Sequence, residues 1–243
     1  AIGLEKKKIE CLIIEAGGIN ADTKNEQYLK GKFVGDLDYE TLSYSRGRQF
    51  GGTGNLWGGN CNPIQEKEFN DWPIVKKDLD PYTVDAKKIL NLKNDFFLEK
   101  FSDNLNLFNL DWSDVKFGKK YYNYIKKSKY INLSLNTTYS GSNGSNGQIT
   151  SINCYKNKYY KLKSKYFILS CGGIENSRLL LWTKRISPQL FKHNLPIGHY
   201  YMDHPFHKVG GGVADYKKLK IYNKKNKKSK APLITCDSAY HIS

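Results

Sequence analysis

Apolar positions along this chain gather in short runs, each closed by polar or glycine-rich sequence. The first, Ile9–Ile14 (IECLII), has the length of a buried parallel strand and stops at Glu15-Ala16-Gly17-Gly18. Residues 1–8 ahead of it predict the tail of a helix. Asp22–Tyr44 has weak periodicity and predicts loop with one short helix. Asp78 is placed to cap a first turn around Pro81, leading a helix from Tyr82 to Leu90. Asn94–Asp114, rich in Phe, Leu and Asn without a clean period, predicts an irregular segment. Lys116–Lys127 predicts a helix, and Tyr130–Thr138 alternates as a strand. A polar turn over Ser140–Gly147 then joins Gln148–Tyr155 as the next strand of a hairpin, with a further strand beginning at Tyr159–Lys163. Tyr166–Cys171 (YFILSC) predicts a central strand that runs into Gly172-Gly173 and a helix with a leucine run ending at Trp182. Val209–Tyr216 predicts another strand, a lysine-rich hairpin follows, and Pro232–Ser243 predicts one more.

Three junctions in this pattern carry candidate chemistry. Arg48–Asn60 reads RQFGGTGNLWGGN, with glycine pairs at Gly51-Gly52 and Gly58-Gly59, a further Gly54, and one large aromatic, Trp57. Paired glycines let a backbone approach a ligand closely, and consecutive N–H groups in such a turn form a nest for anionic oxygens. A glycine-rich surface turn is an equal reading of this stretch alone. Glu15, at the end of an apolar strand, matches the carboxylate that accepts from ribose hydroxyls in a dinucleotide-binding unit. The Gly-rich turn that precedes such an acid by about 20 residues is expected ahead of Ala1; a loop glutamate capping a strand is the competing reading. Gly172-Gly173, between strand and helix, offers a helix N-terminus to a phosphate or ribose, or else a tight turn that packs helix against strand.

Composition narrows the class. A chain of 243 residues with 39% hydrophobic and 14% aromatic content is globular, with room for one large domain or two small ones. No apolar run reaches the length of a membrane span, and the N-terminus lacks signal-peptide order, which favours a cytoplasmic over an exported protein without fixing a compartment. Cys11, Cys61, Cys154, Cys171 and Cys236 are scattered without a CxxC, against both zinc and a disulfide framework. The net charge of +16 invites a nucleic-acid partner. Much of it is loop lysine, with eight lysines between Lys217 and Lys230, whereas arginine, the residue of bidentate phosphate recognition, is scarce. The expectation is a solvated basic face and no nucleic acid.

Three segments then stand in one order. IIEAGG is followed by RQFGGTGNLWGGNCNP with WPI and DLDPY, and then by FILSCGGIENSRLLL with IGHYYMDHP. Together they resemble the glucose–methanol–choline (GMC) oxidoreductases, on the bacterial sugar- and polyol-oxidising side that includes pyranose 2-oxidase, and the likeness spans nearly the whole chain. The resemblance implies FAD in an extended site. Glu15 would hold the adenosine ribose, and Gly51, Gly52, Thr53 and Asn55 would pass along the pyrophosphate toward the flavin, with Trp57 and Gly58 beside it. Tyr139 would offer adenine a backbone contact, and Gly172 and Gly173 would close the nucleotide-side turn. It also implies hydride transfer from a CH–OH carbon to flavin N5 while a base takes the hydroxyl proton. Covalent-flavin relatives carry a histidine just before the loop tryptophan. Leu56 stands there in this chain, so non-covalent FAD is expected. The family's C-terminal catalytic histidine pair is expected beyond Ser243. None of His193, His199, His204, His207 and His241 is a candidate base, and the chain is expected to be an inactive internal fragment.

The fold class expected is therefore α/β: a discontinuous Rossmann-like FAD-binding domain with an interleaved antiparallel-sheet substrate domain. Residues 1–60 are its first part, 61–129 a flavin-cover and substrate-side segment, 130–195 its second part, and 196–243 the start of the substrate-binding domain. The expected partner is a small-molecule alcohol, sugar or polyol; the sequence names no electron acceptor. A reductase using NAD(P)H is the second reading, weakened because Gly172-Gly173 lacks the G-x-G-x-x-G form. A basic module binding nucleic acid or acidic polysaccharide without catalysis is the third.

Overall fold

A computed structural model describes residues 1–32, 34, 46–93, 98–102, 105–108, 111–202 and 233–236. In chain order the elements are α1 (Ile2–Glu5), β1 (Cys11–Ile14), α2 (Thr23–Glu26), β2 (Asn60–Cys61), α3 (Lys76–Leu79), α4 (Thr83–Leu90), β3 (Leu98–Ser102), β4 (Leu105–Phe108) and β5 (Asp111–Trp112). They continue with α5 (Phe117–Lys127), β6 (Ile131–Ser134), β7 (Thr138–Ser145), β8 (Gln148–Lys156), β9 (Lys158–Leu162), α6 (Gly173–Ile186) and β10 (Leu233–Cys236). The chain is a mixed α/β protein of two compact units, one from 1–57 and 116–205, the other from 58–115 and 206–243.

The core of the first unit follows from two periods meeting. β1 and β6 pair in parallel with Cys11 opposite Ile131 and Ile13 opposite Leu133, so the alternate residues of both strands share a face. Tyr121, Tyr122 and Ile125 of α5 return at helical spacing and meet that face, with Phe50 and Ile2 filling in around Ile125 and Ile131. A second layer is the antiparallel meander β7-β8-β9. α6 covers it through buried Leu179 and Thr183; Trp182 Nε1 donates to Ser140 O (3.0 Å) and Ser187 Oγ to Ser142 O (3.0 Å).

The second unit is antiparallel where its strands pair, in the orders β2-β5 and β10-β4-β3. Asp78 does not cap the turn around Pro81: its Oδ2 accepts from Val75 N (3.0 Å) at the start of α3, and the 3-10 turn over Asp80–Tyr82 that leads into α4 starts without a side-chain cap. No described helix is long and apolar enough to cross a membrane.

Four further expectations need correction. Asn94–Asp114 holds strands β3, β4 and β5 among its described residues, because Leu98–Ser102 and Leu105–Phe108 form a short hairpin whose bulge disturbs the sequence period. Tyr130–Thr138 is not one arm of the hairpin: β6 ends at Ser134 and runs parallel to β1. Ser140–Gly147 is mostly strand, since β7 extends to Ser145 with irregularities between Tyr139 and Gly141 and between Asn143 and Gly144. The true turn is Asn146-Gly147, both at positive φ (52° and 76°), the pair a two-residue hairpin demands. Finally, Tyr166–Cys171 pairs in no ladder among the described residues, and Tyr166 and Ile168 are 75% and 77% exposed. The expected strand over Val209–Tyr216, the lysine-rich hairpin and most of Asp22–Tyr44 beyond Lys32 lie outside the described residues, as do His204, His207 and His241.

Truncating the core residue shared by sheet and helix is expected to be costly. Ile131→Ala should lower unfolding free energy by about 3 kcal/mol in urea titration. A loss under about 1 kcal/mol would contradict this core assignment.

Candidate functional site

The site begins where β1 stops. Glu15 N donates to Ser134 O (3.0 Å), holding the residue in register, and Glu15 O accepts from Thr137 N (2.9 Å). Its side chain then turns back, and Oε1 accepts from Gly17 N (2.7 Å). Gly17 and Gly18 lie directly against the segment that opens the central loop. Phe50 N donates to Gly18 O (2.8 Å), and Gly18 bridges Gln49 in parallel. A Cβ on Gly17 would stand 1.9 Å from Arg48 O, so no side chain fits there. The two motifs are thus joined through their backbones.

Arg48 sits at that junction. Its guanidinium lies 4.4 Å from the Tyr28 ring centre, and Nη2 donates to Thr138 Oγ1 (2.9 Å). Nε is buried without a hydrogen-bond partner. Burial depresses the arginine's pKa, partly offset by Tyr28 and Glu15. The same burial raises the Glu15 carboxyl above the usual carboxylate range, while the Gly17 N–H and the Arg48 charge hold it down.

The loop itself is built for tight packing. Gly51 adopts φ of 92°, and a Cβ there would lie 2.4 Å from Gly118 N, at the start of α5. Asn55 clamps the contact: Nδ2 donates to Phe50 O (2.8 Å) and Oδ1 accepts from Gly118 N (2.8 Å). The Phe117 ring underlies Gly54 and lies 6.0 Å from the Trp57 ring. Gly52 has space around it, Thr53 is exposed, and Leu56 is exposed too.

No protein-family model and no curated protein matches this chain.

Gly172 and Gly173 present the other rim. Gly172 has φ of 85°, which favours glycine, and nothing stands within 4 Å of a Cβ on either residue. Asn176 N donates to Gly172 O (2.8 Å), starting α6, and Asn176 Oδ1 accepts from Cys171 N (2.8 Å). The Glu175 carboxylate accepts from Arg46 Nη1 and from Arg178 Nε (2.7 Å). Tyr139 directs its hydroxyl inward between Ser142 and Thr183 (2.8 and 2.7 Å), leaving its main chain on the edge strand β7.

Glu15, Gly51–Trp57, Tyr139 and Gly172-Gly173 thus belong to one unit, whereas Gly58 belongs to the other, where its carbonyl accepts from Trp112 Nε1 (2.7 Å). Sequence reasoning missed Arg48, which is in electrostatic reach of Glu15, Glu175 and Arg178. Its signal was present: a scarce arginine three residues ahead of a glycine pair. His193 and His199 are exposed.

Chemically, the arrangement offers a carboxylate beside a half-buried cation, a glycine pair open on its outer side, and an α6 N-terminus without a side-chain cap. These are groups for neutral hydroxyls and anionic oxygens.

Two variants test this description. Asn55→Ala is expected to cost about 2 kcal/mol by leaving two part-buried backbone groups unpaired, read by chemical denaturation. Arg48→Met should move the Glu15 carboxyl titration to higher pH in side-chain NMR; a titration left in place would show that Arg48 does not hold that charge.

Proposed function

We propose that this chain is the nucleotide-binding portion of a GMC-type FAD-dependent oxidoreductase acting on the CH–OH group of an alcohol, a sugar or polyol foremost. The observation that carries the reading is the backbone junction of Glu15-Ala16-Gly17-Gly18 with Arg48–Gly51, which joins a strand-end carboxylate to a glycine loop. A ribose and a pyrophosphate need these two features side by side.

The residues fit such a ligand unevenly. Glu15 supports a ribose contact, because a strand-end carboxylate, steadied by the Gly17 N–H and the Arg48 charge, can accept from hydroxyls. Gly172-Gly173, with open space and the start of α6 behind them, suit the approach of phosphate or ribose. Gly52 and Thr53 form the accessible edge of the central loop, while Gly51, Gly54 and Asn55 act by setting that edge in place against Gly118 and Phe117. The unit is in this reading the described part of a Rossmann-like FAD domain, with β1 and β6 as its parallel strands. FAD, when bound, supplies the two-electron acceptor for the alcohol. Leu56 has no nucleophilic atom, so the cofactor is held without a covalent bond. The proton acceptor for the substrate hydroxyl lies outside the described residues.

The test is FAD titration of the full-length protein, followed by flavin fluorescence. Glu15→Gln should weaken binding about tenfold, the worth of one charge-assisted hydrogen bond. Burial raises the Glu15 pKa, so acidification through that raised value protonates the carboxyl and lowers affinity in the parent protein. The Gln variant should lack this dependence. An unchanged dissociation constant and pH profile in the variant would remove Glu15 from the site. Anaerobic bleaching of the flavin bands by a sugar or polyol tests the reaction class; the absence of bleaching across a panel of such alcohols would contradict it.

A further inference from the structure

The stretch from Val115 to Ile174 contains no Asp or Glu, and its second half is paced by lysine and tyrosine. Around the β8–β9 turn it reads Tyr155-Lys156-Asn157-Lys158-Tyr159-Tyr160-Lys161, followed by Lys163 and Lys165. The ladder sets these residues rung by rung: Asn153 opposite Lys161, Tyr155 opposite Tyr159, and Lys156 opposite Lys158. Alternation puts the first two rungs on one face of the meander. The last rung places two exposed lysines directly across from each other, which costs stability in the free protein. Among the described residues no carboxylate pairs with any of these lysines. The hairpin therefore carries concentrated, uncompensated positive charge.

A groove opens beside it, where α6 meets the meander. Ser140, Asn153, Tyr159, Tyr160, Lys161 and Trp182 line about 450 Å3 of open space, the size of a small-ligand site. Trp182 is fixed by its Nε1–H on Ser140 O (3.0 Å), yet 44% of it stays exposed. Tyr159 is 75% exposed and is backed by Tyr155, with ring centres 4.9 Å apart. Neither Tyr159 nor Trp182 belongs to the buried core, so both keep apolar ring surface in water. Asn143 Nδ2 donates to Asn153 Oδ1 (2.9 Å), which holds the Asn153 amide on the rung it shares with Lys161.

These groups define a ligand. Aromatic faces take the C–H edge of a sugar ring, an amide takes hydroxyls, and an ammonium takes a carboxylate. A neutral sugar would leave the lysines unanswered. A single-stranded nucleic acid stacks successive bases on platforms along a track, and arginine forks suit its phosphates best. Here Tyr159 and Trp182 serve one groove, and the hairpin's cations are all lysine.

We propose that this groove binds a short uronic-acid oligosaccharide, with a sugar ring on Tyr159 and Trp182 and its carboxylate on Lys161. Lys156 and Lys158 draw the anionic chain toward the groove. The proposal does not rest on the flavin reading, and its test reads no flavin.

Isothermal titration of the full-length protein with trigalacturonate, at low and high salt, tests it. Binding should weaken as salt rises, and the neutral trisaccharide maltotriose should bind at least about tenfold more weakly. Lys161→Gln should weaken trigalacturonate binding about tenfold, the worth of one charged contact. Tyr159→Ala should weaken it about fivefold, the worth of one aromatic contact. Both side chains are exposed, so these variants should melt with the parent protein. Lys77→Gln, in the other unit, should leave the affinity unchanged. No binding of trigalacturonate, or equal binding of maltotriose, would overturn the ligand class. Tighter binding of oligo(dT), lost in the same two groove variants, would overturn it in favour of a nucleic acid. Affinity unchanged in both groove variants, or lowered equally by Lys77→Gln, would overturn the location.

Discussion

The arrangement of the candidate site depends on one close backbone approach, that of Gly17 to Arg48. A methyl group at residue 17 would penetrate the Arg48 carbonyl, so the two segments touch only because glycine stands there. The contact fixes Phe50 N on Gly18 O and brings Gly51 to the start of α5, where a second exclusion operates at Gly118. Asn55 then locks the loop to both backbones. Strand end, glycine loop and helix are consequently one rigid connection, with the glycines serving the protein's own packing before any ligand.

Charge is arranged around the same point. Burial pushes the Glu15 pKa up and the Arg48 pKa down, and the charge of each partly offsets the shift of the other. Glu175, shared between Arg46 and Arg178, completes a cluster of alternating sign next to the open glycines Gly172 and Gly173. Such a group is worth little as a surface ion pair. Its value lies in bringing carboxylates and the uncapped, open start of α6 to one place.

Much of this was legible in the sequence where a single local rule dominates. The alternation of Ile131, Leu133 and Leu135 announces its buried face, and Pro81 stands in the turn that leads into α4. Glu15 and Gly51 could be singled out because an acid after an apolar run and paired glycines are rare patterns. What failed was everything decided by a distant partner. Ser- and Gly-rich β7 reads as a turn because its small residues have low strand preference, yet α6 needs them small where Ile186 approaches Gly141. Tyr166–Cys171 has the apolar composition of a strand, but a ladder needs a neighbour, and no periodicity within six residues supplies one. Arg48 went unremarked because its role depends on Tyr28, Thr138 and Glu15 converging from three separate segments.

The central claim is that this fold holds a flavin without a covalent bond. The absorption spectrum of the full-length protein, supplied with FAD, desalted and then precipitated with acid, tests it most directly. The account predicts flavin bands that co-elute with the folded protein and pass to the supernatant on precipitation. Flavin remaining in the pellet would contradict the reading of Leu56, and folded protein without flavin bands would contradict the oxidoreductase assignment itself.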